Sequence, residues 1–312
     1  MVYVEWMVYP GEPLSSFVTE PEGGRVVASS PTAIKRWIAI EMRRLREAAG
    51  LDRPTAADRI GKANTVVAHI ETGRNLPAPS DVEVLLNLYG VPERVPFFRD
   101  LIRTAKRGKD WWIGFTDAVP EWFELYLGLE SAAARISSYN VQWVPSLFQT
   151  REYAEAIHRA GERRFTEKEI AARVEVRMGR QAVLDRTDDP PFIWCVLDEA
   201  ALHRAVGGLD VMRAQLKHLL DLADRPNVDL QVLAAESGAH AGAEGTFTIL
   251  EYPPEFGGDP GTAYVETRQQ GVYYEQPAQV IDYRRVFERL QMQAERADRS
   301  RDLIAEAGRN LS

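Results

Sequence analysis

The feature that most constrains this chain is a pair of short helical patterns that meet at one glycine, within residues 51–73. Asp52 is a typical helix N-cap, and Pro54 follows it in the first turn. Gly61 predicts a left-handed stop between the two helices, because a residue with a Cβ atom resists that conformation. Gly73 predicts a second stop. These signals predict two short helices that are joined by a tight turn.

The apolar residues fall on one side of each predicted helix, as the helical period requires. The residues predicted to face inward are Ala57, Ile60, Val66, Val67 and Ile70. Those left outside on the second helix are Asn64, Thr65, Ala68 and His69. An exposed face of small and hydrogen-bonding residues suits a helix that enters the major groove of DNA. The pattern therefore predicts a helix-turn-helix.

The net charge of −8 is unevenly distributed along the chain. Residues 34–110 hold 15 Lys and Arg against 10 Asp and Glu, a net charge of +5, and the rest holds 23 against 36, a net charge of −13. A basic segment joined to an acidic remainder favours nucleic acid at one end and discourages non-specific DNA adhesion elsewhere. The alternative is a random distribution of surface charge, because +5 is modest.

The length of 312 residues suggests two domains. We expect a flexible N-terminal extension at residues 1–30 and an all-α domain of about five helices at residues 31–110. A larger α+β domain with a small, mostly antiparallel sheet and flanking helices is expected at residues 111–312. No apolar run is long enough to span a membrane, and the single cysteine, Cys195, suits a reducing cytoplasm.

Within the second domain the hydrophobic period changes from helical to extended. The predicted helices lie at residues 120–138, 149–160, 166–186, 209–223, 277–294 and 300–307. The predicted strands lie at residues 192–197, 228–233, 246–252, 263–267 and 272–274. Thr166 and Glu169 form a capping-box pattern at the start of the third helix.

Residues 38–90 resemble the Xre/lambda-repressor-like helix-turn-helix family. The resemblance rests on the arginine-rich segment 43–46, Gly50-Leu51, the Ala-x-x-Ile-Gly pattern of residues 57–61 and the Ile-Glu-x-Gly pattern of residues 70–73. It implies that three residues contact base edges: Asn64, Thr65 and His69. It also implies that four residues contact the DNA backbone: Arg53, Lys62, Arg74 and Asn75.

Ala63 departs from the family pattern, because this position usually carries Ser or Thr as the N-cap of the recognition helix. Capping by Asn64 is therefore an alternative to base contact for that residue. For Glu71 we expect a structural role rather than a DNA contact.

The second half of the chain, together with the helix-turn-helix, resembles the actinobacterial WhiJ-like, antitoxin-like transcriptional regulators. The resembling segments are residues 126–130, 144–150, 173–178, 196–202, 212–216, 227–233, 238–242 and 247–251. The resemblance spans nearly all of residues 34–306. It implies a C-terminal domain without assigned biochemistry that acts with small partner proteins encoded nearby.

Three kinds of chemistry are weighed for the second domain. Asp198, Glu199 and His240 could form an acid–base site, but helix capping and a glycine-rich turn explain them better. The five histidines show no metal-ligand spacing, and neither a metal nor a cofactor is expected. A ligand pocket lined by Trp143, Trp194, His240 and Tyr264 is an alternative to ordinary aromatic core packing.

The sequence thus predicts a cytoplasmic, sequence-specific DNA-binding regulator that is not an enzyme and that acts as a homodimer. Its second domain is expected to receive a signal from a small protein or a ligand. The alternative is an antitoxin-like interaction module that neutralises a small partner protein, with DNA binding secondary or lost.

Overall fold

The computed structural model describes residues 30–115, 117–161, 165–187 and 189–311. The predicted flexible extension lies outside the described residues, apart from Ser30. That serine is the N-cap of the first helix, and its hydroxyl accepts a hydrogen bond from the backbone N–H of Ala33.

Five α-helices form the first part of the fold, as the sequence predicts. They are α1 (Pro31–Ala48), α2 (Arg53–Arg59), α3 (Asn64–Glu71), α4 (Pro79–Leu88) and α5 (Val95–Arg107). The carboxylate of Asp52 accepts the N–H of Thr55 at 2.9 Å and so caps α2 as predicted. Gly61 and Gly73 have φ values of +66° and +67°, which confirms both predicted stops.

These helices share one hydrophobic core. From α1, Trp37 and Met42 contribute fully buried side chains, and Leu85 and Phe98 of later helices belong to the same cluster. Phe256 also belongs to it, although it lies far away in the sequence, and its ring centroid is 5.2 Å from that of Trp37. The helix-turn-helix core is therefore completed by a residue of the second half of the chain.

A six-stranded sheet forms the centre of the second part, with the strand order β3-β2-β1-β4-β5-β6. The strands are β1 (Arg135–Asn140), β2 (Phe192–Asp198), β3 (Val228–Leu233), β4 (Phe247–Glu251), β5 (Thr262–Glu266) and β6 (Gly271–Tyr274). β1, β2 and β3 pair in parallel, whereas the pairs β1–β4, β4–β5 and β5–β6 are antiparallel.

The prediction of a small, mostly antiparallel sheet is wrong, because the sheet is mixed and includes a central strand that the sequence did not reveal. β1 begins inside residues 120–138, which are predicted to be helical, and the helix there stops at Ala132. Ser137, Ser138 and Asn140 give β1 little of the β-branched and aromatic character that marks a strand. Without β1, its parallel pairing with β2 and its antiparallel pairing with β4 could not be recognised.

Helices cover both faces of the sheet. They are α6 (Glu121–Ala132), α7 (Arg151–Gly161), α8 (Glu167–Arg180), α9 (Ala200–His203), α10 (Leu209–Leu222), α11 (Pro277–Gln293) and α12 (Ala297–Arg309). The predicted capping box of Thr166 and Glu169 is present at the start of α8. No helix in the described parts of the chain is long and apolar enough to cross a membrane.

Helix α1 packs on the second part of the fold as well as on its own helical neighbours. It contacts α3 and α5 on one side and α6 on the other. At Gly128 of α6 the approach is so close that an added Cβ atom would lie 2.9 Å from the Cβ of Thr32. The predicted division of the chain at residue 110 stays a prediction.

Candidate nucleic-acid interface

Helix α3 presents two exposed polar side chains on the face that turns away from the core. Val67 and Ile70 are buried beneath it, whereas Asn64 and Thr65 are exposed. The N-cap is Ala63, and no side chain caps the helix, so the alternative of capping by Asn64 is wrong. Within the described residues, neither Asn64 nor Thr65 donates or accepts a side-chain hydrogen bond. Both are available to hydrogen-bond partners outside the chain.

A buried ion pair fixes α3 against α1. The guanidinium of Arg46 binds Glu71 through two bonds, Nε to Oε1 at 2.6 Å and Nη2 to Oε2 at 3.0 Å. The two side chains are only 7% and 1% exposed, so the charges are paired away from most solvent. These hydrogen bonds raise the pKa of Arg46, and its Nη1 donates to the carbonyl of Leu51 at 2.6 Å. The structural role predicted for Glu71 is confirmed.

Two of the predicted backbone-contacting cations form ion pairs within the chain. Arg53 donates from Nε to Oε2 of Glu71 at 2.8 Å, and Lys62 Nζ lies 2.5 Å from Oδ2 of Asp81. Their side chains are 38% and 39% exposed, so each retains a surface from which a phosphate could be reached. Contact with DNA would compete with these ion pairs.

The other predicted backbone contacts, Arg74 and Asn75, are exposed just beyond the end of α3. Arg59, at the end of α2, is also exposed, and it forms no ion pair with any residue that the structure describes. Sequence analysis did not select Arg59, although its position before the Gly61 turn could have indicated it. Arg59 and Arg74 add positive charge next to the ends of α2 and α3.

His69 is half-buried and is tied to Arg74. Its Nε2 lies 3.2 Å from Nη1 of Arg74. A guanidinium can only donate, so a neutral His69 ring accepts at Nε2 and carries its proton on Nδ1. A base contact from His69 would therefore be a donation from Nδ1. Together with Ala68, Thr72 and Gly73 the pair lines a shallow groove at the end of α3.

The structure does not bring the four speculative pocket residues together. Trp194 and Tyr264 belong to clusters on opposite faces of the sheet. The indole N–H of Trp194 donates to Gln231 at 2.8 Å. Trp143 is exposed, and the guanidinium carbon of Arg204 lies 5.2 Å from its ring centroid.

His240 lies near Tyr139, in a group that includes Asp198. The Tyr139 hydroxyl is 3.2 Å from Oδ2 of Asp198 and 3.5 Å from Nε2 of His240. Asp198 also accepts the N–H of Ala200 at 2.9 Å, and burial raises the pKa of Tyr139. Glu199 accepts the N–H of Ala235 at 2.8 Å instead of joining this group. These bonds hold the turns that follow β2 and β3, and the absence of enzymatic activity stays a prediction.

Comparisons with known proteins match both halves of the chain. A family model described as a helix-turn-helix domain matches residues 37–95, and one described as a domain of unknown function (DUF5753) matches residues 123–306. Neither a curated protein nor a solved structure gives a match. The second match includes all six strands and more than half of the 312 residues. The chain therefore belongs to the family defined by this domain of unknown function, and it carries a helix-turn-helix domain in front of it.

Proposed function

We propose that this protein is a sequence-specific DNA-binding transcriptional regulator, and that Asn64 and Thr65 read base edges in the major groove. The observation that carries the proposal is the exposed, unpartnered pair of polar side chains at the start of α3. Asn can bind adenine through N6 and N7, and Thr can bind a base or contact a thymine methyl group. The buried Arg46–Glu71 pair supports the proposal, because it holds α3 in one orientation.

Helix α3 has eight residues and can read only a few base pairs. We therefore infer a homodimer that binds a two-fold-related site, which would supply the contact area of a specific complex. Sedimentation of the purified protein with and without DNA tests this inference. A monomer on a single half-site would contradict it.

The C-terminal domain is proposed to receive a signal from a small protein or a ligand. The resemblance to WhiJ-like regulators favours a small partner protein encoded nearby. A set of contacts connects the C-terminal domain to α1 and supports the transfer of a signal between them. We name this set the α1 joint, and its residues are Arg36, Asp259, Thr262 and Glu275. Arg36 donates to the other three at 2.6, 2.9 and 2.5 Å respectively. A displacement of the segment before β5 would thus act directly on α1.

The test of base readout is binding to the DNA upstream of the protein's own coding region, with unrelated DNA as control. Asn64→Ala and Thr65→Ala should each weaken specific binding by about 1–3 kcal/mol. Both side chains are exposed, so unfolding transitions should stay the same. Asn310→Ala and Thr187→Ala change the same residue types at exposed positions on the second half of the chain and should bind like the wild type.

The salt dependence separates base readout from charge attraction. Equal affinity for both DNAs that disappears with added salt would reduce the interaction to phosphate contacts. Absence of DNA binding by a folded dimer, together with capture of a small basic or acidic partner encoded nearby, would favour the antitoxin-like interaction module instead.

A further inference from the structure

A polar row crosses one face of the sheet and forms the floor of a cavity. Strand register aligns Cys195, Ser138, Thr248 and Tyr264 on four neighbouring strands. Ser138, Thr248 and Tyr264 line a cavity of about 110 Å³. The small side chains of Ser138 and Thr248 leave space between larger neighbours, and residues of α6, α8 and the turn after β1 cover part of this space. Those covering residues are Tyr126, Glu130, Arg180, Leu147 and Phe148.

The cavity lies at the point where the connections of the sheet diverge. β1 has β2 as its neighbour on one side and β4 on the other. β2 runs parallel to β1, whereas β4 runs antiparallel to it. Asn140 at the end of β1 and Thr246 just before β4 both line the cavity. The cavity thus lies at the junction between the parallel and the antiparallel half of the sheet.

The wall carries an internally neutral ion pair, Glu130 with Arg180, and one further carboxylate, Glu266. Glu130 accepts from Nε and Nη2 of Arg180 at 2.8 Å each, and no hydrogen bond to Nη1 of Arg180 occurs within the described residues. Glu266 lines the exposed edge of the cavity, accepts from Tyr264 at 3.3 Å and forms no ion pair in the described parts of the chain. The carboxylate of Glu266 and Nη1 of Arg180 are therefore available to bind a ligand.

A second guanidinium lies three residues earlier on α8. Arg177 donates to the amide oxygen of Gln149 at 2.8 Å and has no carboxylate at ion-pair distance among the described residues. Burial, reinforced by Arg180, lowers the pKa of Arg177 to about 10, so the side chain stays charged at neutral pH. Because the Glu130–Arg180 pair cancels, the lining leaves one negative charge, Glu266. Arg177 lies outside the lining, but it is close enough to Glu266 for that carboxylate to oppose the lowering of its pKa, so its positive charge offsets that of Glu266.

Size restricts the ligand further. The cavity volume of about 110 Å³ is well below the roughly 300 Å³ at which sites for drug-sized ligands begin. The cavity therefore suits a small molecule.

We propose that this cavity binds a small zwitterion of the size of alanine or serine, with its ammonium group at Glu266 and its carboxylate at Arg180. The hydroxyl groups of Ser138 and Thr248 face the side chain of the ligand, which is a hydroxymethyl group in serine and a methyl group in alanine, and the amide N–H of Asn140 donates to Ser138 at 2.9 Å. The regulatory consequence rests on the proposed function. β4 and β5 frame the cavity, and β5 begins at Thr262, a member of the α1 joint. Occupancy of the cavity is thereby linked to α1.

The test is calorimetric titration of the full chain, without DNA, with a matched set of probes. L-alanine and L-serine carry both charges, propionate lacks the ammonium group and ethylamine lacks the carboxylate. We expect saturable binding of a zwitterion at least about tenfold tighter than of either single-charge probe. No binding of either zwitterion up to about 20 mM would overturn the proposal, as would equal binding of ethylamine.

Two variants test the placement of the ligand. Glu266→Gln should weaken zwitterion binding by about tenfold, because it removes the charge that pairs with the ammonium group. Ser138→Val fills the floor of the cavity and should abolish binding. Glu288→Gln makes the same change at an exposed site on α11 and serves as the control.

Circular dichroism establishes that each variant is folded. Unchanged affinity in Glu266→Gln would overturn the assignment even if Ser138→Val fails to fold. DNA binding is measured separately, so loss of specific DNA binding would refute the proposed regulator without affecting the ligand result.

Discussion

Helix α1 carries two buried arginines ten residues apart, and they hold together different parts of the molecule. Arg46 binds Glu71, 25 residues away within the helix-turn-helix. Arg36 binds Asp259, 223 residues away before β5. The two ion pairs are similarly buried, with side-chain exposures of 7% and 1% for the first and 9% and 1% for the second. One helix therefore orients α3 at one end and joins the second half of the chain at the other.

The two ends of α1 differ in whether a second cation remains beside the carboxylate when the arginine is removed. Glu71 receives a second guanidinium, because Arg53 also donates to it. In the described structure Asp259 has Arg36 as its only cationic partner, and its other hydrogen bond comes from the N–H of Gly261. A buried carboxylate that loses its only counter-charge is strongly destabilising, whereas one that keeps a partner is less so. We therefore expect unequal effects from equivalent substitutions.

Arg36→Ala should have the largest effect. It leaves Asp259 buried without a counter-charge and should lower the free energy of unfolding by about 3–5 kcal/mol at neutral pH. The loss should shrink at lower pH, because the isolated carboxyl group can then take up a proton. Urea denaturation at neutral and mildly acidic pH measures both effects. A loss below about 1 kcal/mol at neutral pH would show that the α1 joint contributes little to stability.

Arg46→Ala should cost less, about 2–3 kcal/mol, because Arg53 remains to neutralise Glu71. DNA affinity should fall as well, since α3 loses the contact that fixes its orientation. The matched control is Arg43→Ala on the same helix, where an exposed pair with Glu47 is lost, and a change below about 0.5 kcal/mol is expected. Urea denaturation and DNA titration of both variants give the comparison. Equal losses of stability and of DNA affinity in Arg46→Ala and Arg43→Ala would contradict the role assigned to the buried pair.

Gly258→Ala tests the same junction without removing a charge. Gly258 has a φ of +90°, and an added Cβ would lie 2.8 Å from Nε of Arg44 and 3.0 Å from Oε2 of Glu41. We expect a loss of about 1–2 kcal/mol, from backbone strain and from displacement of Arg44. Gly245→Ala is the control, because Gly245 has a φ of +106° with nothing within 4 Å of the added atom. The difference between their thermal unfolding free energies isolates the contact with α1.

Glu41→Gln should have the smallest effect, and the effect should depend on pH. Burial opposes ionisation of Glu41, but hydrogen bonds from Arg44 and Arg94 outweigh it and lower the pKa of this carboxyl from its ordinary value of 4.5. A lowered pKa in the folded state gives stability that is present above pH 4.5 and is lost as the pH falls further. The variant should be about 1 kcal/mol less stable at pH 7 and nearly equal to the wild type in strong acid. A difference that is constant with pH would contradict this origin.

Much of the helix-turn-helix could be predicted from the sequence because its signals are local. Asp52 caps α2 by accepting the N–H of Thr55, three residues further on. Gly61 and Gly73 adopt the left-handed backbone conformation that other residues resist. The exposed face of Asn64 and Thr65 follows from helical periodicity. The ion pairs of Arg53 and Lys62 with Glu71 and Asp81 were missed, because the partners lie 18 and 19 residues away with no local signal.

Sequence alone determined the helical period, the Asp52 cap of α2, the stops at Gly61 and Gly73 and five of the six strands. Each of these depends on conformational preferences within a few residues, which the local chain encodes. Only the tertiary structure decided that β1 lies at the centre of a mixed sheet, that Phe256 completes the helix-turn-helix core and that Arg36 meets Asp259. It also decided where the cavity lies. These features arise when distant segments pack together, and their free energy comes from burial and pairing that no single segment contains.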